Sequence, residues 1–428
     1  MNIKFRKKLV VEYLLSFFLA FYFYSAKFVF LPIDTSKLIW LLFLLFFIFT
    51  LFFSSAARYV LSDFIYPLII SSVFLYFGLS LLLFSVISDA DNFTFPLYVI
   101  LYFLDVTLVA FSLTVLFSYL RFNIQNILNV IINVGFIQAV MMFSMLLIPE
   151  WNNLYKSITI TNSLISSYYE YRYVGLTGFA NYTVGIMQGL FFLVALVSYY
   201  EERKFSLSRC IILITIFISS MLASRSSLVL ICIGFIIFFL TNLSNKYFFK
   251  KILPWIVFSL FSAFTLIYFC VTNEELLSNN ILLKWALEPF YNFVHYGELR
   301  TNSSDTIENY YFRPSDNTFY WGDWKYVNQD GSYYMHVDAG YMRLLLYMGL
   351  YFSLAFYSFF TFIYLLNFYI LRNMFNAVIK NIDVLYISVL LSFFIFQYKG
   401  NIFVDGFGVL KVITLLLIIN HSKILARR

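Results

Sequence analysis

Charged residues are scarce in this chain. They make up 12% of its 428 residues, whereas 62% are hydrophobic. This balance excludes a water-soluble protein, and apolar runs of about 20 residues, each long enough to cross a bilayer as a helix, recur along almost the whole chain. The net charge of +7 does not indicate a nucleic-acid partner. In a membrane protein the location of the charges matters more than their sum.

Cysteine is also scarce, and common enzymatic motifs are missing. Cys210, Cys232 and Cys270 lie in apolar runs without CxxC spacing, so we predict reduced, buried and inert thiols and no disulfide framework. The sequence has no Walker motif, no HExxH and no catalytic-triad signature, so it supports neither ATP-driven transport nor zinc proteolysis. We predict no cofactor and no metal site. No small-residue cleavage site follows the first apolar run, which we interpret as a spanning helix.

The apolar runs predict an all-α integral membrane protein with about 12 transmembrane helices. The predicted spans are 10–31, 38–54, 64–87, 96–119, 124–148, 182–200, 210–223, 226–243, 252–272, 340–371, 383–398 and 407–421. They give three parts: spans one to nine in 1–272, with a smaller loop at about 149–181; a large polar loop at 273–339; and spans ten to twelve in 340–428. The span at 340–371 is too long for one straight crossing, so it tilts or projects into water.

The charges between the spans alternate in sign. Seventeen of the 29 basic residues fall in short segments on one side of the predicted membrane, whereas the opposite side holds most of the acids. Because basic loops remain in the cytoplasm, both termini are predicted to be cytoplasmic. The large loop 273–339 then lies outside.

The large loop is rich in Tyr, Trp, Asn and Asp. Aromatic rings among amides and carboxylates stack on sugars and hydrogen-bond to them, which favours a glycan-binding loop. The alternative is an aromatic belt at the membrane interface. We expect turns at Pro314 and Gly331 and short helices elsewhere in the loop.

Three polar motifs lie on the predicted outer side. The first, "YRYVGLTGFAN", contains Arg172, Gly175, Gly178 and Asn181. The glycines permit a close backbone approach or a positive φ, and the arginine can hold a phosphate in bidentate geometry. The alternative is a juxtamembrane turn whose arginine touches lipid headgroups.

The second motif, "SRSS", places Arg225 in a short turn between two apolar spans. An arginine there is costly unless it is paired or hydrated. Serine hydroxyls and free backbone N–H groups before a new helix favour an anion. The alternative is an interfacial arginine whose side chain reaches back to water.

The third motif is "HVDAGYMRLLLYMGL", at the end of the large loop. His336 can accept a proton near neutral pH, and Asp338 can orient it or act itself. Tyr341 and Arg343 follow at the helix entrance, and Arg343 would lie about two helical turns from His336 if the helix began early. The alternative is a Tyr/Arg interfacial anchor beside an incidental histidine.

The layout and these motifs resemble the bacterial O-antigen polymerase family and, more distantly, the O-antigen ligases. The local resemblance covers mainly "RYVGLTGFAN", "SRSSLVL" and "HVDAGYMRLLLYMGLYFS". It implies a multi-pass glycosyltransferase of the bacterial inner membrane, with a fold like that of the C-type membrane glycosyltransferases and a periplasmic active site. The implied reaction joins undecaprenyl-diphosphate-linked repeat units, as donor and acceptor, by metal-independent inverting transfer. Membrane lipids and a chain-length regulator protein are the implied partners.

The resemblance also implies roles for the motif residues. Arg172, Arg225 and Arg343 resemble diphosphate-binding arginines, and Asn181 and Tyr341 are assigned to substrate binding. His336 resembles the loop histidine that serves as candidate base in the ligases. This chain has Asp338 where the ligases usually carry an amide-rich pattern, so the catalytic base is either His336 or Asp338.

Two other functions are alternatives for a membrane protein of this kind. An O-antigen ligase would transfer finished polymer to the lipid A core. A flippase for lipid-linked oligosaccharides would be expected to show paired halves and polar residues in mid-membrane. Asp105 is the main acidic residue deep in a predicted span, and most of the polar residues lie in the outer loop.

Overall fold

The computed structural model of the chain describes residues 3–53, 65–87, 93–102, 104, 108–159, 175–177, 182–203, 206–254, 261, 265, 268–273, 275, 281–375, 381–402 and 411. Within these residues the regular structure is helical, without a β-strand. The predicted all-α class is confirmed at this level.

The first half of the described chain contains eight helices. They are α1 Ile3–Tyr24, α2 Thr35–Phe53, α3 Ile65–Ile87, α4 Thr94–Tyr102, α5 Leu108–Tyr119, α6 Ile124–Leu147, α7 Pro149–Ile158 and α8 Tyr182–Glu201. A 3₁₀ turn, Gly175–Thr177, precedes α8.

The second half contains two apolar helices, three short helices in the large loop, and two further apolar helices. They are α9 Leu207–Ala223, α10 Ser226–Asn242, α11 Ile281–Tyr296, α12 Asn302–Glu308, α13 Asp316–Trp321, α14 Gly340–Phe375 and α15 Ile382–Gln397. A π-helical turn, Phe248–Ile252, follows α10, and a 3₁₀ turn, Tyr334–His336, precedes α14. The expected short helices of the large loop are therefore present.

By length and composition, three of these helices qualify as candidate membrane spans: α6, α8 and the Gly340–Leu366 part of α14, which contains a turn at Gly349. Shorter apolar helices match several other predicted spans, including α9, α10 and α15. Helices α4 and α5 both fall in the predicted span 96–119. Most of 252–272, and all of 407–421 except residue 411, lie outside the described residues, as does Asp105.

Helix α8 forms the centre of the bundle. All of its residues from Tyr182 to Tyr200 are buried, and it packs against α6, α9, α10 and α15. Inside, Gln188 Nε2 donates to Gly135 O (3.1 Å) and Ser219 Oγ (2.8 Å), while the Tyr24 hydroxyl donates to Gln188 Oε1 (2.8 Å). Satisfied amide hydrogen bonds of this kind tie helices together in an apolar setting.

The first helix differs from the predicted span 10–31. It ends at Tyr24, and Ser25 takes a φ of +48°. The chain then pairs with other segments instead of continuing as a helix: Phe28 forms an antiparallel bridge with Thr159, and the Thr35 N–H donates to Ala26 O (2.9 Å). The apolar run extends past the end of the helix because it also supplies this connection.

Helix α14 reverses direction at Gly349, so the predicted span 340–371, which is too long for one straight crossing, consists of two helical segments. Gly349 has φ 70° and ψ 178°. The rings of Tyr341 and Tyr357 lie 5.4 Å apart, whereas a straight helix would separate these positions by about 24 Å. Residues 340–348 therefore lie alongside the segment that follows the turn.

The large loop stabilises this reversal. The N–H groups of Asp323 and Trp324 donate to Leu346 O and Tyr347 O, each at 2.8 Å. These carbonyls belong to the last turn of segment 340–348, which lacks helical partners. A Cβ on Gly322 would come within 2.5 Å of Gly349 N, so the two backbones touch.

Residues 350–356 project beyond the end of α15. Gln397, the last residue of α15, donates through Nε2 to the Tyr357 hydroxyl (2.9 Å). Further along the antiparallel pair, the rings of Phe360 and Phe393 lie 4.5 Å apart, and Tyr364 donates to Tyr386 O (2.9 Å). The Gly349 turn therefore extends past the neighbouring helix end.

The bundle has two ends, which we name by their residues. At the Asn381 end, Asn381 Nδ2 donates to Glu201 Oε1 (2.6 Å) and Asn242 donates to Asn381 Oδ1 (2.7 Å). Short connections with basic residues, such as Arg203, lie at this end. At the Gly340 end, α8 and α10 begin, α15 ends, and the large loop is attached.

The cysteines differ from their predicted environment. All three are free thiols, but Cys232 is exposed on the bundle surface, and Cys210 and Cys270 are half-buried. An apolar run does not distinguish a residue inside the protein from one on an apolar outer surface.

Candidate functional site

Three sequence segments meet at the Gly340 end. A Cβ on Gly340 would come within 2.5 Å of Gly400 O, so the start of α14 contacts the turn that follows α15. From that turn, Lys399 Nζ donates to Ser226 Oγ (3.0 Å), at the start of α10. The second and third sequence motifs are thereby brought together through a residue that belongs to neither.

Arg343 lies under the aromatic residues of the large loop. It is only 3% exposed, and its guanidinium carbon is 3.6 Å from the centre of the Tyr333 ring and 4.4 Å from that of Tyr326. Tyr326 is itself fixed, because its hydroxyl accepts a hydrogen bond from Asn401 Nδ2 (2.9 Å). A guanidinium stacked in this way has its orientation set by the rings.

Asp338 lies beside Arg343 at the start of α14. Its Oδ1 lies 3.9 Å from Arg343 Nη1, which is a charge interaction and not a hydrogen bond. The side chain is 46% exposed. Burial among the surrounding atoms raises the pKa of the carboxyl above its ordinary value, while the positive charges of Arg343 and Lys399 act in the opposite direction.

Lys399 was missed in the sequence analysis. It is half-buried and lies 5.5 Å from the centre of the Tyr182 ring, and its charge reaches Asp338. One signal was available: Lys399 is a basic residue in a short predicted outer loop, where the charge pattern places few of them.

Arg225 is held by the large loop. Its Nη1 donates to Glu288 Oε2 (2.7 Å) and to Trp285 O (2.9 Å), and its guanidinium stacks 4.8 Å from the Trp285 ring. Glu288 Oε1 in turn accepts from the Asn302 N–H (3.0 Å) at the start of α12. Pairing with the Glu288 carboxylate therefore stabilises the positive charge of Arg225 in this turn, as the sequence predicted for an arginine placed there.

His336 lies apart from the helix that it precedes. It is exposed, with a φ of +56° in a 3₁₀ turn, and its charge acts on Asp330. Helix α14 begins at Gly340, so His336 and Arg343 do not share two turns of one helix. The Oδ1 of Asp338, the other candidate base, lies 3.9 Å from Arg343 Nη1.

Tyr341 makes a hydrogen bond to α15. Its hydroxyl donates to Phe394 O (2.7 Å), and the side chain is half-buried. It therefore fixes the start of α14 against α15, whereas the sequence analysis assigned it to the substrate.

The first motif is described in part. Gly175 has a φ of +59°, and a Cβ there would lie 2.5 Å from Gln138 Nε2, so the predicted need for glycine is confirmed at this position. Gln138 Oε1 accepts from the Leu176 N–H (2.8 Å), which fixes the turn on α6. Arg172, Gly178 and Asn181 lie outside the described residues.

Within the described ranges, no group of three or more His, Cys, Asp or Glu side chains is placed to hold a metal ion. The charged groups that do converge are Asp338, Arg343 and Lys399. A carboxylate near two cations can accept a proton, and the cations can attract an anionic group.

No family model, curated protein or solved structure matches this chain. The resemblance to the O-antigen polymerases therefore remains a prediction from the layout and the three motifs.

Proposed function

We propose that the protein is a multi-pass membrane glycosyltransferase that polymerises undecaprenyl-diphosphate-linked oligosaccharide repeat units. The observation that carries this proposal is the position of Asp338 beside Arg343, within reach of the charge of Lys399, at one end of an apolar helical bundle. A proton acceptor next to cations, beside a polar aromatic loop, matches the needs of sugar transfer from a lipid diphosphate.

The proposed topology has about 12 spans. The Asn381 end, with its basic connections, faces the cytoplasm together with both termini, and the Gly340 end faces the periplasm. The large loop then covers the site from the side on which lipid-linked repeat units are polymerised in the family that the chain resembles.

The proposed reaction is a single displacement at the anomeric carbon of the donor sugar. A hydroxyl oxygen of the acceptor sugar forms the new C–O bond as the bond from the anomeric carbon to the diphosphate oxygen breaks. Asp338 accepts the hydroxyl proton, and undecaprenyl diphosphate leaves with the bonding electron pair. Attack opposite the leaving group inverts the anomeric configuration.

We assign separate tasks to the cations. Lys399 and Arg172 attract the leaving diphosphate, whose charge increases in the transition state. Arg343 is covered by Tyr333, so we assign it to positioning and to holding the charge of Asp338. The Glu288 carboxylate occupies the place on Arg225 that a phosphate oxygen would take, so Arg225 joins the site when Glu288 moves aside.

The test is deletion of the gene, complementation with variants, and a gel of the surface polysaccharide. Deletion should leave a lipid core bearing a single repeat unit. Asp338→Asn at normal protein level should fail to restore the polymer, whereas Arg313→Met should restore it, because Arg313 is in an exposed ion pair with Asp316 (79% and 76%).

Other gel patterns would contradict the proposal. An uncapped core after deletion would indicate a ligase, and unchanged polymer would exclude a polymerase role. If His336→Ala abolished the polymer and Asp338→Asn did not, His336 would be the base.

A further inference from the structure

Two tyrosines form an exposed stacked pair next to Lys399. The rings of Tyr311 and Tyr398 lie 4.8 Å apart and are nearly parallel, with 10° between their planes. Tyr311 is 37% exposed and Tyr398 is 46% exposed. Stacking buries one face of each ring, and the remaining exposure leaves aromatic surface open to a ligand.

The pair is fixed from both sides. The Tyr311 hydroxyl donates to Tyr398 O (2.8 Å), which links the large loop to the turn after α15. That turn is itself held, because the N–H groups of Lys399 and Gly400 donate to Phe396 O at 3.0 and 3.1 Å. On the loop side, the Tyr311 N–H donates to Glu308 O (3.1 Å) at the end of α12. Rings held in this way lose little further freedom when they bind a ligand.

The chemistry next to the pair points to one kind of ligand. Tyr398 directly precedes Lys399, whose ammonium donates to Ser226 and whose charge reaches Asp338. An apolar ring face next to donors and acceptors fits a pyranose ring, which has apolar C–H faces and hydroxyls at its edge. Burial, together with the neighbouring Tyr398 and Tyr341, also raises the pKa of the Tyr311 phenol, so it stays neutral and keeps its hydrogen-bonding proton.

We propose that Tyr311 and Tyr398 form a saccharide-binding platform that holds a sugar ring of the acceptor beside Asp338. This inference rests on the proposed function for the identity of the acceptor. Saccharide binding by these two rings does not depend on sugar transfer, so it can be tested separately from the polymerase activity.

The chain offers a matched control pair. Tyr320 and Tyr351 are also stacked, with ring centres 5.7 Å apart and 22° between their planes, and they are 39% and 54% exposed. They lie at the Gly349 turn, whereas Tyr311 and Tyr398 lie at the other end of segment 340–348, where it contacts the turn after α15.

The experiment measures saccharide binding to the purified full-length protein in detergent, by saturation-transfer NMR and by titration. The probe is the single repeat unit released by mild acid from the undecaprenyl-diphosphate-linked repeat units of the source cells. Tyr311→Ala and Tyr398→Ala should each weaken binding roughly fivefold, a size typical of one aromatic contact. Tyr320→Ala should leave binding unchanged, and Tyr311→Phe, which keeps the ring, should retain most of it.

The outcomes separate this inference from the proposed function. Equal binding by wild type, Tyr311→Ala and Tyr398→Ala would overturn the platform, as would an absence of binding to a wild-type protein that polymerises. Saccharide binding that depends on both tyrosines, in a protein that forms no polymer, would retain the platform and refute the polymerase. If an alanine variant unfolds, the phenylalanine and leucine variants at the same two positions replace it. Weaker binding by Tyr311→Leu and Tyr398→Leu than by Tyr311→Phe and Tyr398→Phe would support the platform, and equal binding would overturn it.

Discussion

Opposing electrostatic effects act on the Asp338 carboxyl. Burial raises its pKa, while Arg343 and Lys399 act to lower it. The proposed base is active as the carboxylate, so activity should fall as the pH drops through this pKa. The cations therefore determine where the acidic limb of the pH profile lies.

Replacing Lys399 by glutamine should move that acidic limb to higher pH. The variant removes a positive charge that favours the carboxylate, so the pKa of Asp338 rises further. The measurement is the pH dependence of polymer formation by the purified protein. A general loss of rate without a shift of the limb would show that Lys399 does not act on the base.

Arg225 and Glu288 provide a stability test. The pair is mostly buried, with 19% and 20% of the side chains exposed, so Arg225→Met leaves a carboxylate without its partner. We expect a loss of about 2 kcal/mol, seen as a lower melting temperature in detergent. Arg313→Met removes an exposed ion pair of similar length and should change stability by less than about 0.5 kcal/mol. Equal effects of the two variants would show that Arg225 does not anchor the large loop.

Several helices could be predicted from the sequence because their signals are local. Helices α6, α8 and α10 begin and end within a few residues of their predicted spans. Each is an apolar run bounded by polar residues, and α6 begins after Asn123, whose side chain accepts from the Asn126 N–H (2.9 Å).

The reversal at Gly349 could not be predicted in this way. The run "LLLYMGLYFS" remains apolar across the turn, and one glycine inside a helical pattern does not by itself end a helix. The turn depends on Gly322 and on the Asp323 and Trp324 N–H groups, which come from the large loop. For the same reason, the Arg225–Glu288 pair and the contact of Lys399 with Ser226 appear only when distant segments fold together.

Cross-linking tests the reversal. In a background without the native cysteines, Tyr341→Cys/Tyr357→Cys should be joined by a short bis-thiol reagent, because the two side chains face each other. Phe352→Cys/Phe368→Cys has the same sequence separation but lies wholly after the turn, about 24 Å apart along one helix. It should not be joined. Mass spectrometry of the products distinguishes the two cases, and the opposite pattern would contradict the fold-back.

In the described part of the chain, Asp338, Arg343 and Lys399 lie at the Gly340 end of an apolar bundle, whereas Glu201 and Arg203 lie at the Asn381 end. The central helix α8 is buried along its length from Tyr182 to Tyr200. Its polar side chains are joined in hydrogen bonds such as that between Tyr24 and Gln188. This arrangement favours chemistry at the membrane surface over transport through the middle.

The central claim is that the protein alone joins lipid-linked repeat units at the site of Asp338. The measurement is a gel of the products formed when the purified full-length protein, in liposomes, receives undecaprenyl-diphosphate-linked repeat units from its source cells. We predict a ladder of polymers without added nucleotide sugar, made by the wild type and by Arg313→Met but not by Asp338→Asn. Repeat units that remain single with the wild-type protein, or a ladder of equal intensity from Asp338→Asn, would contradict the account.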